Sequence, residues 1–233
     1  MVTIEKDLAG LGPFFAVDTH RRGEIRNSPW ESFSDLLTDA ALDARVSNVR
    51  SALAAGTESG QVEERVAASV AHLGLVARVV APRIASIALR HRPMSWRAED
   101  LWWQDQLGGP YPLSVVFVDE RDPWAGSAVV ALTAAFSRRF AVSGHVLSGN
   151  VASAANSAAR LVAAARPELS PGAHAAADEI LAEPDVESGA LRSGPEFRRR
   201  SCCLIYRVTG DRTAVCGDCV LQSSTSACEQ SSS

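Results

Sequence analysis

All the thiol chemistry available to this chain lies in one short stretch. Of 233 residues, five are cysteines, and none precedes position 202. They run Cys202-Cys203, then twelve residues, then Cys216-Gly217-Asp218-Cys219, with Cys228 following in a serine-rich tail. A C-x-x-C pair curls back so that both thiolates face one metal or one cluster edge, and Gly217 removes side-chain bulk inside that turn. The spacer is long enough for a strand, a turn at Gly210-Asp211 and a return, which would bring the two pairs together. Four thiolates are the complement of a [2Fe–2S] or [4Fe–4S] cluster and equally of a structural zinc ion. The vicinal pair bears on this choice. Neighbouring side chains on a strand point to opposite faces, so Cys202 and Cys203 need a bent backbone to converge. A two-iron rhomb leaves more latitude for that than one small tetrahedral ion. Zinc and a thiol–disulfide site stay open. The dithiol reading lacks the helix whose dipole would activate it, because Val220-Leu221 run almost directly into the tail. Cys228 reads as a bystander.

The surroundings suit a negatively charged centre. Arginines 192, 198, 199, 200, 207 and 212 face only Glu196 and Asp211 nearby, in a chain whose net charge is -4. Cations beside thiolates lower their pKa, favour the more negative reduced state, and attract anionic partners. A solvated basic face is the plain alternative. Arg200 and Arg207, which flank the vicinal cysteines, are the candidates for tuning or docking. His145 is a third candidate, at the start of a helix of small residues. Trp102 and Trp103 are candidate pocket walls, although paired aromatics in a helix more often belong to a core. The five histidines contain no H-x-x-x-H pair.

Arg199-Arg200-Ser201-Cys202-Cys203-Leu204-Ile205-Tyr206-Arg207 followed by Cys216-Gly217-Asp218-Cys219 closely resembles the C-terminus of the FhuF-type ferric-siderophore reductases. The resemblance implies a [2Fe–2S] cluster on Cys202, Cys203, Cys216 and Cys219. It also implies one-electron reduction of siderophore-bound Fe(III) in the bacterial cytoplasm, the siderophore being of hydroxamate type. A reduced ferredoxin or flavoprotein would be the donor, and any association with the inner membrane would be transient. The family's spacer is about ten residues, and a hairpin tip absorbs the two extra ones. The upstream run His145-Val146-Leu147-Ser148-Gly149-Asn150 is similar to the family in a general way. Two other functions fit the cysteines: a zinc-stabilised interaction module without catalysis, and an electron carrier between proteins.

The elements that must position these residues read as mainly α with a small β component. Residues 1–196 form the helical body, 197–222 the cluster-binding segment, and 223–233 a disordered tail. Trp30 to Val46 has helical spacing of apolar residues, and Val62 to Arg78 has it more clearly. Pro82 is expected to start a further helix ending at Leu89. Ser95 is a candidate N-cap for a helix carrying Leu101-Trp102-Trp103. Leu113 to Asp119 is dense in β-branched and aromatic residues and reads as a strand, paired with residues 202–208. Gly126 to Phe140, His145 to Ala165 and His174 to Leu181 read as helices, the second rich enough in alanine for close packing at the centre.

Several function classes are excluded or disfavoured. An acidic balance argues against a nucleic-acid binder. The longest apolar run, Leu73 to Leu89, is interrupted by Arg78, Pro82 and Arg83, which a bilayer would penalise. The N-terminus lacks the basic and apolar regions of a signal peptide, so a cytoplasmic protein is expected. No G-x-G-x-x-G follows the strand at Leu113, which argues against direct binding of NAD(P)H or FAD.

Overall fold

The structure, a computed structural model, describes residues 4–57, 60–209 and 216–221. The turn at Gly210-Asp211, Arg212, and the tail with Cys228 lie outside the described residues. The molecule is mainly helical with one small sheet.

Helix α1 (Ile4–Ala9) is followed by an irregular stretch that leads to α2 (Phe33–Leu36) and α3 (Asp39–Ala54). The helix expected from Trp30 is thus divided. The Thr38 hydroxyl accepts the N–H of Ala41 and opens a new helix there, as Ser32 does for α2.

Helix α4 (Glu64–Ala88) is continuous where two helices were expected, with Pro82 inside it. An interior proline costs about 3 kcal/mol. Val79, Val80 and Ile84 around it are all essentially buried, and each such side chain contributes about 1.5–3 kcal/mol. Burial outweighs the break. The helix is long and apolar enough to cross a membrane by length and composition, yet 72% of its apolar window is buried inside the protein. Arg78 and Arg83, which interrupt the apolar run, are buried too and donate to main-chain carbonyls rather than to carboxylates.

The sheet holds β1 (Asp18–Thr19), β2 (Glu31–Ser32), β3 (Leu101–Trp103) and β4 (Leu113–Val115) in the order β1-β4-β3-β2. β4 runs parallel to β1, while β3 is antiparallel to both its neighbours. Two expectations are corrected here. Trp102 and Trp103 lie on a strand, not a helix, and β4 pairs with β1 and β3 rather than with residues 202–208. The Ser95 hydroxyl is buried and donates to the carboxylates of Asp100 and Asp122 instead of capping a long helix.

Helices α5 (Ala128–Arg139), α6 (Gly144–Ala165) and α7 (Ser170–Leu181) complete the body. Ala152, Ala155 and Ala159 of α6 and Ala67, Ala68 and Ala71 of α4 are buried. These small residues allow the backbones of α4 and α6 to approach closely, and the cysteine segment is set against that helix pair.

Candidate metal centre

The chain approaches α6 from Phe197, and Arg199 is fixed first. Its N–H donates to the Asp218 carbonyl at 3.1 Å, which ties the start of the segment to the C-x-x-C loop. Asp218, itself buried, accepts from the Ser153 hydroxyl of α6. The Cys203 carbonyl accepts from the Ser69 hydroxyl of α4 at 2.8 Å. Both cysteine pairs are therefore held to the two central helices through main-chain and short polar contacts.

The bend that the vicinal cysteines require is present. Leu204 has φ of 69°, the left-handed region that a branched side chain rarely occupies. A single helical turn, α8 (Tyr206–Thr209), follows at once, so the spacer does not begin as a strand. On the other side, the Cys219 N–H donates to the Cys216 carbonyl at 3.0 Å and closes the C-x-x-C turn. The thiols meet in two pairs. Sγ of Cys203 lies 3.8 Å from Sγ of Cys216, and Cys202 is near enough to Cys219 for the two to interact electrostatically. No disulfide joins these four. Main-chain N–H groups of Leu204 and Leu221 point at the sulfurs of Cys202 and Cys219, at 3.3 and 3.4 Å. Among the described residues, no group of three or more His, Cys, Asp or Glu side chains is arranged for a single metal ion.

The electrostatics are uneven. The hydrogen bond with Cys216 holds the Cys203 thiol well below its usual range, helped by the Ile205 N–H and by the charge of Arg199. The same bond, together with burial, pushes Cys216 up, and burial raises Cys202. Arg199 is 1% exposed. Its Nε donates to the Ser201 carbonyl and its Nη2 to Asn150 Oδ1 at 3.0 Å, while Nη1 has no partner. A buried guanidinium with a partnerless nitrogen, near enough to favour the Cys203 thiolate, suits an anionic cluster by supplying positive charge. The donor set and this orphaned group fit an iron–sulfur cluster.

Behind Arg199 lies a buried polar chain. Asn150 also donates to the Ser69 carbonyl at 3.0 Å and lies 3.5 Å from Nδ1 of His72, whose Nε2 meets the Thr133 hydroxyl at 3.1 Å. Burial lowers the His72 pKa to about 3, so its ring is neutral.

The remaining candidates separate. Arg200 and His145 line a cavity of about 660 Å³ that also includes Ser201, Glu187, Asp185 and Thr133. Arg207 pairs with Glu63 at 2.6 Å on the surface. Trp103 packs edge-on against Tyr111 with ring centres 5.6 Å apart, beneath Arg45. It is a core residue of the sheet, and neither Trp102 nor Trp103 lines that cavity. Sequence reasoning missed Arg199, Asn150, Ser69 and Glu187. Arg199 was visible only as one arginine of a run. Gly149 carried a faint signal, as a glycine inside a long helix: a Cβ there would lie 2.2 Å from Ser201 Oγ and 2.6 Å from Glu187 Oε1.

This arrangement is a cysteine-rich segment mounted on a helical body. Residues 199–221 match the family described as the FhuF 2Fe-2S C-terminal domain. That match covers the cysteine segment alone, and the matched description names a [2Fe–2S] cluster. No curated protein and no solved structure matches the chain.

Proposed function

We propose that this protein reduces siderophore-bound Fe(III) to Fe(II) by one electron, with a [2Fe–2S] cluster held by Cys202, Cys203, Cys216 and Cys219. The observation that carries this reading is the approach of Cys203 and Cys216, with Cys202 and Cys219 in the same segment and a partnerless nitrogen on buried Arg199, within the stretch that matches the family model. When bound, the cluster supplies a site that accepts and gives up a single electron at a time.

The chain's own residues do the rest. Arg199 and the N–H groups of Leu204 and Leu221 stabilise added negative charge on the sulfurs, which favours the reduced state. Ser69, Ser153 and Asn150 hold the loops so that little rearrangement accompanies electron transfer. The cavity bounded by Arg200, Ser201 and His145 is the docking place for the ferric chelate. No side chain needs to act as acid or base. Hydroxamate oxygens are hard donors that prefer Fe(III), so adding one electron to the ferric ion weakens the chelate and releases Fe(II). A reduced ferredoxin or flavoprotein supplies that electron in the cytoplasm.

The test uses protein purified without oxygen from iron-replete cells. Iron and acid-labile sulfide should each be about two per chain, with broad absorption between about 400 and 600 nm that dithionite bleaches. The reduced protein should accelerate transfer of iron from a ferric trihydroxamate to a ferrous chelator. Zinc or an absence of metal overturns the cluster, and a bleachable cluster without acceleration leaves only an electron carrier.

A further inference from the structure

We propose that the cavity beside the cysteine segment selects its ferric chelate by charge, admitting cationic and neutral complexes and disfavouring anionic ones, with Glu187 as the residue that sets the preference. This rests on the reductase reading above and adds the property by which that site chooses among chelates.

The cavity, about 660 Å³, lies within the range that holds small-molecule ligands. One wall is Ser201, the residue immediately before Cys202, so a bound chelate is next to the cysteine segment. The arginine-rich sequence around it suggests an attractive surface for anions, but the lining shows the reverse. Arg200 is the one cation there, against Asp185 and Glu187, with His145 exposed at the edge. Arg200 is tied to the wall, Nη1 donating to the Glu187 carbonyl at 3.3 Å. Two neighbouring arginines are engaged elsewhere: Arg199 is buried against Asn150, and Arg207 is paired with Glu63. A four-thiolate cluster is itself anionic and adds to the negative potential.

Glu187 is placed there by several independent features. It is 8% exposed. Its carboxylate meets only the Ser201 hydroxyl, at 3.5 Å, and it belongs to no ion pair among the described residues. Such a buried carboxylate is costly unless something compensates it. The turn that carries it is also strained: φ is 48° at Glu187 and 62° at Ser188, at a cost of about 1–3 kcal/mol for each such residue. Ser148 of α6 braces that turn, its hydroxyl donating to the Asp185 carbonyl at 2.9 Å and accepting the Glu187 N–H at 2.6 Å. Gly149, one residue on, leaves room for the carboxylate where a Cβ would collide with it. A strained turn, a serine brace and a helix glycine together hold one unpaired carboxylate at a cavity wall. A cation on the ligand is the partner that this arrangement lacks.

The experiment uses three linear ferric trihydroxamates with the same iron centre: one with a free pendant ammonium, its N-acetyl derivative, and its N-succinyl derivative. They differ in charge and not in iron coordination. KM and kcat are measured with the cluster-loaded protein. Affinities for the redox-inert gallium(III) counterparts are measured by calorimetry. Binding should weaken from cationic to neutral to anionic by about fivefold per step, with kcat unchanged and the spread compressed at about 0.5 M salt. Glu187→Gln should remove about fivefold of that spread without altering the visible spectrum, and Glu187→Asp, which keeps the charge, should retain it. Asp185→Asn, at an exposed position, should act in the same direction but less. Equal affinities, tighter binding of the anionic chelate, or an undiminished spread in Glu187→Gln overturns the proposal. If the gallium chelates bind in the expected order but no ferric chelate is reduced, charge selection stands and the reductase reading falls.

Discussion

Arg78 and Arg199 are both buried guanidinium groups, one in the middle of the helical body and one at the start of the cysteine segment. Arg78 donates from all three of its nitrogens, to the carbonyls of Tyr111, Phe14 and Ala16. Burial lowers its pKa, but its charge has no local task. It joins the N-terminal stretch and the loop before β4 to the centre of α4. Arg199 uses two nitrogens to hold Ser201 and Asn150 and leaves the third free beside Cys203. A buried arginine with every nitrogen bonded to a carbonyl is a structural clamp. One with a partnerless nitrogen near Cys203 keeps charge available for the thiols, as the proposed cluster would require.

The largest break in this contrast comes from removing what Arg199 serves. Cys219→Ser takes a buried sulfur and should abolish the visible spectrum and the bound iron, read by absorption and iron analysis, while the helical content stays. Arg78→Met should cost about 3 kcal/mol or more, because buried carbonyls lose their donors. Urea unfolding should show that loss, with spectrum and reduction potential unaltered; a shifted potential would erase the distinction between the two arginines.

His72 tests the polar chain behind Arg199. Its pKa is lowered from 6.5 to about 3 by burial, so the unfolded chain binds a proton that the folded one refuses. Stability contributed by the neutral ring is complete above about pH 6.5 and declines as pH falls towards about 3. Between pH 7 and pH 5 the wild type should lose about 2 kcal/mol more than His72→Gln, measured by urea unfolding at the two pH values.

The smallest effect is also the sharpest. Arg199→Met should lower the cluster's potential by about 60 mV, equivalent to about 1.4 kcal/mol for one electron. The sign follows from removing a positive charge that favours the reduced form. Arg199→Lys should recover part of the shift, and redox titration followed by EPR reads both.

Much of the fold was legible because its signals are local. The apolar spacing from Val62 to Arg78 and the β-rich run at Leu113 each act within a turn or a few residues. The errors have a common source in long-range contacts. Pro82 was expected to start a separate helix, and burial on nearly all sides carried α4 through it. Trp102 and Trp103 were placed on a helix by their apolar neighbours, and pairing with β2 and β4 made them a strand. Within the arginine run nothing distinguished Arg199 from Arg198 or Arg200, since all three share the same local sequence.

Residue types and spacing alone single out a cysteine segment with thiol chemistry, a helical body to carry it, and a small-residue helix to bring backbones together. Those properties are written within short stretches of chain, where side-chain chemistry and helical period act. Which arginine lies against Cys203, which carboxylate faces the cavity, and whether a tryptophan lines a pocket or fills a core depend on contacts between α4, α6 and residues 187–203. They were settled by folding, because burial and charge pairing are properties of neighbours in space.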